Sequence, residues 1–230
     1  MNVTNETLIK VTGPNATACW GGRGQWNKPH SKNRPGKWMP LIKDIEPCRK
    51  GYHICQGPQV LKWLHTELYE VEIRGEQVRE KDKIVAQQAR LVRRIKTGNE
   101  RTIRLWACDC AERVSHYWKG EYLDWKGEYL DDNRLVEVIK VARAYAKGKV
   151  TEKELRAAYD VSRSSFQKVS SDYRAWNAVN SALYAVKDRD VLPSYSAHSA
   201  YYAYLAAEAR SKELEWQWNR LLKYLNGELV

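Results

Sequence analysis

The sequence predicts an α+β protein in two parts: a small basic α+β domain over residues 1–100 and an all-α domain over residues 101–230. Short apolar or alternating stretches, separated by Gly and Pro, fill the first part and are typical of strands. Longer stretches with apolar residues three and four positions apart fill the second part and indicate helices. Charge divides the chain at the same place: Met1–Arg104 carries 20 Lys+Arg against 10 Asp+Glu, whereas the remainder carries 19 against 18. A polyanionic partner would therefore meet the first part preferentially.

The first part is predicted to contain four short strands and a short helix. In order, these are a strand at Thr7–Val11, a strand at Gly51–Cys55, one or two turns of helix at Gln59–His65, a strand at Leu68–Ile73 and a strand within Ile84–Ile95. The Leu68–Ile73 stretch alternates with a period of two, which is the period of side chains along a strand. Gly75 is expected to end that strand.

The second part is predicted to be a bundle of helices. They are Ile103–Tyr117, a helix capped by Asp132 and ended by Gly148, a helix that begins at the capping box Thr151–Glu154 and runs to about Val186, and a last helix at Ser196–Leu225. A helix-turn-helix over Leu155–Phe166 is the alternative for the third helix. Asp160 stands where that motif has a turn glycine, so one continuous helix is favoured.

An identical heptapeptide, WKGEYLD, occurs in tandem at residues 118–124 and 125–131. The first interpretation is an exposed connector, since lengthening a loop costs little free energy. The second is a doubled aromatic and acidic motif that contacts a partner.

Residues 16–40 have the composition of an ordered surface loop in which cations alternate with indole rings. Indole rings can stack on bases and Lys or Arg can neutralise phosphates, so this loop is a candidate nucleic-acid-binding site. The candidate residues are Trp20, Arg23, Trp26, Lys28, His30, Lys32, Arg34, Lys37 and Trp38. The alternative is a solvated basic loop whose tryptophans fold back on the domain.

Three residues on the predicted strands are candidate catalytic groups. His53 could act in acid-base chemistry or could be a structural histidine bonded to nearby backbone. Glu70 and Glu72 share one face of their strand and could line a cleft or could meet solvent and basic neighbours.

Cysteine usage and hydropathy exclude some classes of protein. The five cysteines are an odd number without the spacing of structural zinc sites, so neither a disulfide framework nor a metal is predicted. No apolar run reaches the length of a membrane span, and MNVTNETLIK lacks the apolar stretch of a signal peptide. A cytoplasmic protein without membrane contact is expected.

Two segments resemble known families. Cys48–Ile95, with PCRKGYHIC, LYEVEIRGE and DKIVAQQARLVRRI, resembles the N-terminal domain of uncharacterised bacteriophage and actinobacterial proteins that carry a Cys-x-x-Gly-Tyr/Phe-His motif. The segment from Leu105 onward, with LWACDCAERV and VIKVARAYAKGKVTEKELRAA, resembles the alanine-rich helical domain of immunity proteins. The second resemblance implies a protein that binds and blocks a macromolecular partner.

A more distant resemblance is to ADP-ribosyltransferases, in which two small sheets enclose an NAD-binding cleft. Lys10, Gly51-Tyr52-His53 and Tyr69–Glu72 match the first three strand positions of that family. The resemblance implies NAD as a cofactor and His53 with Glu70 or Glu72 as reacting groups. The late strand reads Gln87-Gln88-Ala89-Arg90, without the glutamate that stabilises the transition state in the family.

Two functional hypotheses follow. In the first, the N-terminal domain binds a nucleic acid or a nucleotide, with or without NAD-dependent transfer to nucleic acid, and the helical domain serves as scaffold or homodimer interface. In the second, the chain is a non-catalytic immunity-like or anti-defence protein that blocks a macromolecular partner.

Overall fold

The computed structural model describes residues 2–31, 34–123, 129–131, 133–166 and 210–229, together with positions 177, 180–181, 184, 198–199 and 201–205. Its contacts divide the chain into two units. Unit 1 comprises Met1–Asn99 and Leu222–Val230, and unit 2 comprises Glu100–Leu221. The elements are β1 (Leu8–Thr12), β2 (Tyr52–Gln56), α1 (Gln59–Trp63), β3 (Glu67–Arg79), β4 (Ile84–Arg94), α2 (Glu100–Arg113), β5 (Lys119–Leu123), β6 (Tyr129–Asp131), α3 (Asn133–Ala146), α4 (Glu152–Phe166) and α5 (Arg210–Leu225). The α+β prediction and the helical character of the C-terminal region are confirmed.

Unit 1 is built on a closed antiparallel barrel with strand order β1-β2-β4-β3, in which β3 also pairs with β1. The ADP-ribosyltransferase resemblance implies two facing sheets, whereas the described strands of this unit close into one barrel. One apolar cluster inside unit 1 comprises Ala16, Trp26, Ile54, Tyr69, Val71, Ile84, Ala89 and Leu91.

The strand β3 is longer than the sequence predicts. Gly75 does not end it, because the strand continues to Arg79 through a register shift between Arg74 and Gln77. Gly75 has a φ of +80°, and a Cβ there would lie 2.5 Å from the side-chain oxygen of Gln87. The glycine therefore accommodates a β-bulge rather than a strand terminus.

The loop that precedes β2 is held against the barrel by backbone hydrogen bonds. The N–H groups of Gly36 and Met39 donate to the carbonyls of Leu91 and Ala89 on β4, at 2.8 and 3.0 Å. The loop is thus an ordered layer over the sheet.

Both ends of unit 1 are tied to each other. The side-chain oxygen of Asn226 accepts from the Val3 amide at 2.7 Å, and the Asn226 side-chain nitrogen donates to the Val3 carbonyl at 3.0 Å. Residues after Leu221 therefore complete the basic unit, a relationship that local sequence patterns do not indicate.

In unit 2, α2 is the most buried of the described helices, and all nine residues from Ile103 to Ala111 are buried. Asp109 on α2 forms ion pairs of 2.5 Å with Arg143 on α3 and with Arg220 on α5. A buried carboxylate needs such partners to offset its lost hydration. The network therefore fixes the mutual arrangement of three helices within this unit.

Two predictions for unit 2 need correction. The helix predicted to reach Tyr117 ends at Arg113 and is followed by a 3₁₀ turn at Ser115–Trp118. The tandem heptapeptides do not form a plain connector, because each copy supplies one strand of the antiparallel β5-β6 hairpin. The hairpin adds a two-stranded sheet to a region predicted to be all-α.

The continuous helix is confirmed over the part of its range that is described. α4 runs without a break from Glu152 to Phe166, which excludes a turn at Asp160. Its start follows the predicted capping box: the Thr151 amide donates to the Glu154 carboxylate at 2.7 Å, and the Glu154 amide donates to the Thr151 hydroxyl at 3.3 Å. Asp132, the predicted cap of α3, lies outside the described residues, as does the predicted stretch from 167 to 186 except at positions 177, 180–181 and 184.

No helix in the described ranges is long and apolar enough to cross a bilayer.

Candidate functional site

A cleft of about 730 Å³ opens in unit 1 beside β1 and β2, under the loop that holds Trp20 and Trp26. We call it the unit 1 cleft. The charged side chains among the described residues that line it are all cationic: Lys10, Arg23, Arg49, Lys50 and Lys83. Three indole rings, from Trp20, Trp26 and Trp63, and the ring of Tyr52 complete much of the wall. The cleft therefore combines positive potential with flat apolar surface.

Lys10 is a part-buried cation whose position in the cleft is defined by its contacts. Its Nζ donates a hydrogen bond of 2.8 Å to the His53 carbonyl and lies 5.1 Å from the centre of the Trp26 ring. Among the described residues, no carboxylate lies within ion-pair distance of this ammonium. Burial lowers the pKa of Lys10, and the neighbouring thiols of Cys19 and Cys55 partly oppose that shift. A buried cation without a counter-charge is costly, so the site favours an anion.

The aromatic wall is held in place by its polar edges. The Trp20 Nε1 donates to the Trp63 carbonyl at 2.8 Å, and the Trp63 Nε1 donates to the Asp82 carbonyl at the same distance. The Tyr52 hydroxyl donates to the Pro40 carbonyl, also at 2.8 Å. Trp20 remains 47% exposed and meets Trp63 edge to face. Because the Trp20 N–H is already bonded and about half of its side chain is exposed, this ring can offer a face to a ligand. The Trp63 ring instead lies beneath the ammonium groups of Lys62 and Lys83.

His53 lines the cleft, but its ring is bonded to the backbone. Its Nε2 accepts from the Cys48 amide at 3.0 Å, and the ring also bonds to the Gly51 backbone. Burial and the charges of Lys10 and Lys83 lower the pKa of His53, which favours the neutral ring that this acceptor role requires. The Cys-x-x-Gly-Tyr-His motif thus has a structural explanation: the histidine fixes the tight turn before β2.

That turn also explains the glycine of the motif. Gly51 has a φ of +127°, and a Cβ there would lie 2.4 Å from the Cγ1 of Val85. Cys48 itself has a positive φ of 66°, held by the bond to His53.

Glu70 and Glu72 lie on the outer face of the barrel and do not line the cleft. Glu70 is bonded to Arg93, and Glu72 accepts from the Arg90 Nε at 2.7 Å. Both carboxylates therefore have cross-strand basic partners. The three predicted catalytic residues are not brought together, since His53 faces the cleft and the two glutamates face outwards.

Two of the thiols that line the cleft, those of Cys19 and Cys55, are unreactive in character. Burial raises the pKa of Cys19 and raises that of Cys55 to about 12, so both remain protonated near neutral pH. All five cysteines are free. No group of metal-ligating side chains occurs within the described part of the chain.

The predicted nucleic-acid-binding residues divide between the core, the cleft and the outside. Trp26 is only 6% exposed and packs edge to face on Tyr52, so it is a core residue and offers no stacking face. Trp20 and Arg23 line the cleft. Lys28 donates to the Asn15 side chain at 3.0 Å. Lys32 lies outside the described residues.

The remaining loop residues form a second cavity, of about 510 Å³, on the outside of unit 1. We call this region the outer basic face, and its residues are His30, Arg34, Lys37, Trp38 and Arg90. The guanidinium carbons of Arg74 and Arg90 lie 4.2 and 4.8 Å from the centre of the Trp38 ring. The Trp38 ring is therefore stacked on arginines of its own chain.

Sequence reasoning did not identify several cleft residues. The ADP-ribosyltransferase resemblance alone indicates Lys10 and Tyr52, and no sequence pattern indicates Trp63 or Lys83 as binding residues. Lys10 and His53 lie 43 positions apart, and only the pairing of strands brings them together.

The chain thus joins a barrel to a largely helical C-terminal region in sequence. Residues 93–224, more than half of the chain, match the family described as Imm-5 like putative immunity protein. The chain belongs to this family, and the resemblance predicted from Leu105 onward is confirmed. No curated protein and no solved structure matches the chain.

Proposed function

We propose that the chain is a non-catalytic immunity-type protein that binds a harmful protein and blocks it. Membership of the immunity family carries this proposal. The geometry of the three candidate catalytic residues supports it, because His53 bonds the backbone while Glu70 and Glu72 are paired with arginines. Blocking by binding needs a complementary surface and no reacting group.

Unit 2 offers exposed apolar side chains for such a surface. Tyr201 is 54% exposed and lies against the rings of Tyr202 and Tyr204, while Leu214 and Val161 are 38% and 37% exposed. Tyrosine is enriched at protein interfaces, where a few such residues dominate the binding energy. We place the partner contact on unit 2 for this reason.

The test has two stages. The tagged full chain captures proteins from an extract of the organism that encodes it, and each captured protein is then expressed alone and together with the chain. The proposal expects a captured protein that arrests growth alone and is neutralised by co-expression. Captured proteins that never arrest growth, or arrest that the chain does not relieve, would overturn it.

Variants locate the function. Tyr201→Ala should weaken capture and rescue, whereas the matched variant Leu41→Ala, with an equally exposed apolar side chain in unit 1, should leave both intact. Glu70→Gln with Glu72→Gln should also rescue growth fully. Loss of rescue in the double glutamate variant would favour catalysis.

The outer basic face favours a second function for unit 1, the binding of nucleic acid. His30, Arg34 and Lys37 border one cavity next to the Trp38 and arginine stack. Retention on immobilised DNA should fall steeply with salt, because each neutralised phosphate releases counterions. Arg34→Ala with Lys37→Ala should reduce retention, whereas Lys81→Ala with Lys96→Ala, which removes two other exposed cations of unit 1, should not.

NAD-dependent transfer to nucleic acid is the enzymatic form of this second function. One observation supports it. Lys10 and Gly51-Tyr52-His53 line the same cavity, and these residues match the ADP-ribosyltransferase positions. Incubation with NAD and mixed DNA, RNA and protein acceptors, followed by mass spectrometry, tests it. Absence of transfer and of NAD consumption would exclude it.

A further inference from the structure

We infer that the unit 1 cleft binds a small ligand in which a planar ring is joined to a phosphate, with Lys10 at the phosphate and Trp20 at the ring. This goes beyond the proposed blocking function and does not depend on it, and it requires no NAD-dependent transfer in the same cleft. Charge, the position of Lys10, the aromatic wall and size each support the inference.

The charge of the cleft selects an anion. Five cations and no carboxylate line it among the described residues. Arg49 and Lys50 form ion pairs with Glu46 and Asp44, but these pairs are exposed and weak. Like charges around one concave wall raise the local potential, so they raise the local concentration of anions.

Lys10 is the group that an anion would satisfy. Its ammonium is fixed by the His53 carbonyl and the Trp26 ring, and it borders the cavity without a carboxylate partner among the described residues. Lys83, on the same wall, forms an ion pair of 3.1 Å with Asp82. A phosphate carries up to two negative charges and has several acceptor oxygens, so it can bind more than one of these cations at once, which a carboxylate does less well.

The aromatic wall selects a flat ring next to that anion. Trp20 is anchored through its Nε1 and by edge-to-face contacts with Trp63 and His65, yet it keeps about half of its surface exposed. A pre-positioned ring loses little conformational freedom on binding. Stacking on an aromatic ring does not require a particular base.

The cleft has the size of a small-molecule site. Its volume of about 730 Å³ lies within the usual range of roughly 300–1,000 Å³ for ligand cavities. A ligand made of a ring, a sugar-sized spacer and a phosphate fits this range, whereas most of a polymer would have to extend out of the cleft.

Isothermal titration of the full chain with AMP, adenosine, inorganic phosphate and a 5′-phosphorylated oligonucleotide tests the inference. AMP is expected to bind one site, and adenosine and phosphate alone are each expected to bind at least tenfold more weakly. Lys10→Met and Trp20→Ala should each weaken AMP binding tenfold or more. Lys96→Met, which removes an exposed cation of unit 1 outside the cleft, should leave it unchanged.

Three outcomes would overturn the inference: no heat with AMP, equal affinity for AMP in the native protein and in both cleft variants, or oligonucleotide binding without AMP binding. Circular dichroism of each variant confirms that it is folded. A Lys10→Met protein that has lost AMP binding but still neutralises the captured partner would separate this site from the blocking function.

Discussion

The Lys10 ammonium lies 2.8 Å from the main-chain carbonyl of His53, just beyond the point where β1 and β2 stop pairing. In the antiparallel ladder between these strands, Leu8 pairs with Gln56 and Ile9 pairs with Cys55. A side chain of β1 thus satisfies a carbonyl of β2 and at the same time borders the cleft. Lys10 therefore stabilises the end of the β1–β2 ladder and also adds to the positive electrostatic potential of the cleft.

Lys10→Met should change the unfolding free energy only slightly. The lost hydrogen bond costs about 1 kcal/mol, but the variant also removes a charge that burial disfavours, so the two effects oppose each other. Urea unfolding measures the result. Ile9→Ala, at a fully buried neighbour, is the contrasting variant and should cost about 2–5 kcal/mol. A similarly large loss in Lys10→Met would identify Lys10 as a structural residue rather than a binding one.

His53 should make the protein less stable in mild acid. Because burial and two nearby lysines lower its pKa below 6.5 in the folded state, the unfolded chain binds more protons between that lowered pKa and 6.5. The unfolding free energy therefore rises with pH across this window, and the contribution is lost as the pH falls through the folded-state pKa. Urea titrations at several pH values should show a smaller slope for His53→Gln.

His65 provides the control for this effect. Burial lowers its pKa as well, so His65→Gln should remove a separate part of the same slope, and a residual slope should remain in either single variant. An unchanged slope in His53→Gln would show that the pKa of His53 is not lowered in the folded protein.

Asp109→Ala should strongly destabilise the protein. Its carboxylate is almost fully buried and pairs with both Arg143 and Arg220, and removal of one member of a buried ionic network commonly costs about 3–5 kcal/mol. Glu137→Ala, which breaks the exposed pair with Lys140, is the matched control and should cost less than about 1 kcal/mol. Equal losses in the two variants would contradict a central role for the Asp109 network.

Gly51→Ala should cost more than Gly24→Ala. Both glycines have positive φ, but a Cβ at Gly51 would collide with Val85, whereas nothing lies within 4 Å of one at Gly24. Strained backbone of this kind costs about 1–3 kcal/mol, and the collision adds to that cost only at Gly51. Thermal unfolding of both variants would show the difference. An equal loss of stability would mean that the turn before β2 rearranges to accommodate a Cβ at Gly51 at little cost.

The positions of most strands and of the capped helix were predictable because they follow local rules. Alternation located β3, and the Thr151–Glu154 pair marked the start of α4 within one turn. Barrel closure was not predictable, because the pairing of β1 with β3 joins residues about 60 positions apart.

The candidate site was predictable only in outline. Composition indicated a basic and aromatic loop, and Trp20 and Arg23 do line the cleft. Whether an indole is buried depends on the surrounding layers, so Trp26 in the core and Trp38 on its arginines could not be distinguished from Trp20 by local sequence.

The account is tested most directly by the stoichiometry of inhibition. The activity of the captured harmful protein is titrated with the full chain, with and without NAD. A blocking protein predicts a linear fall to zero at a fixed molar ratio near one, with no effect of NAD. Complete inactivation by a small fraction of an equivalent, or a requirement for NAD, would contradict the central claim and identify the chain as an enzyme.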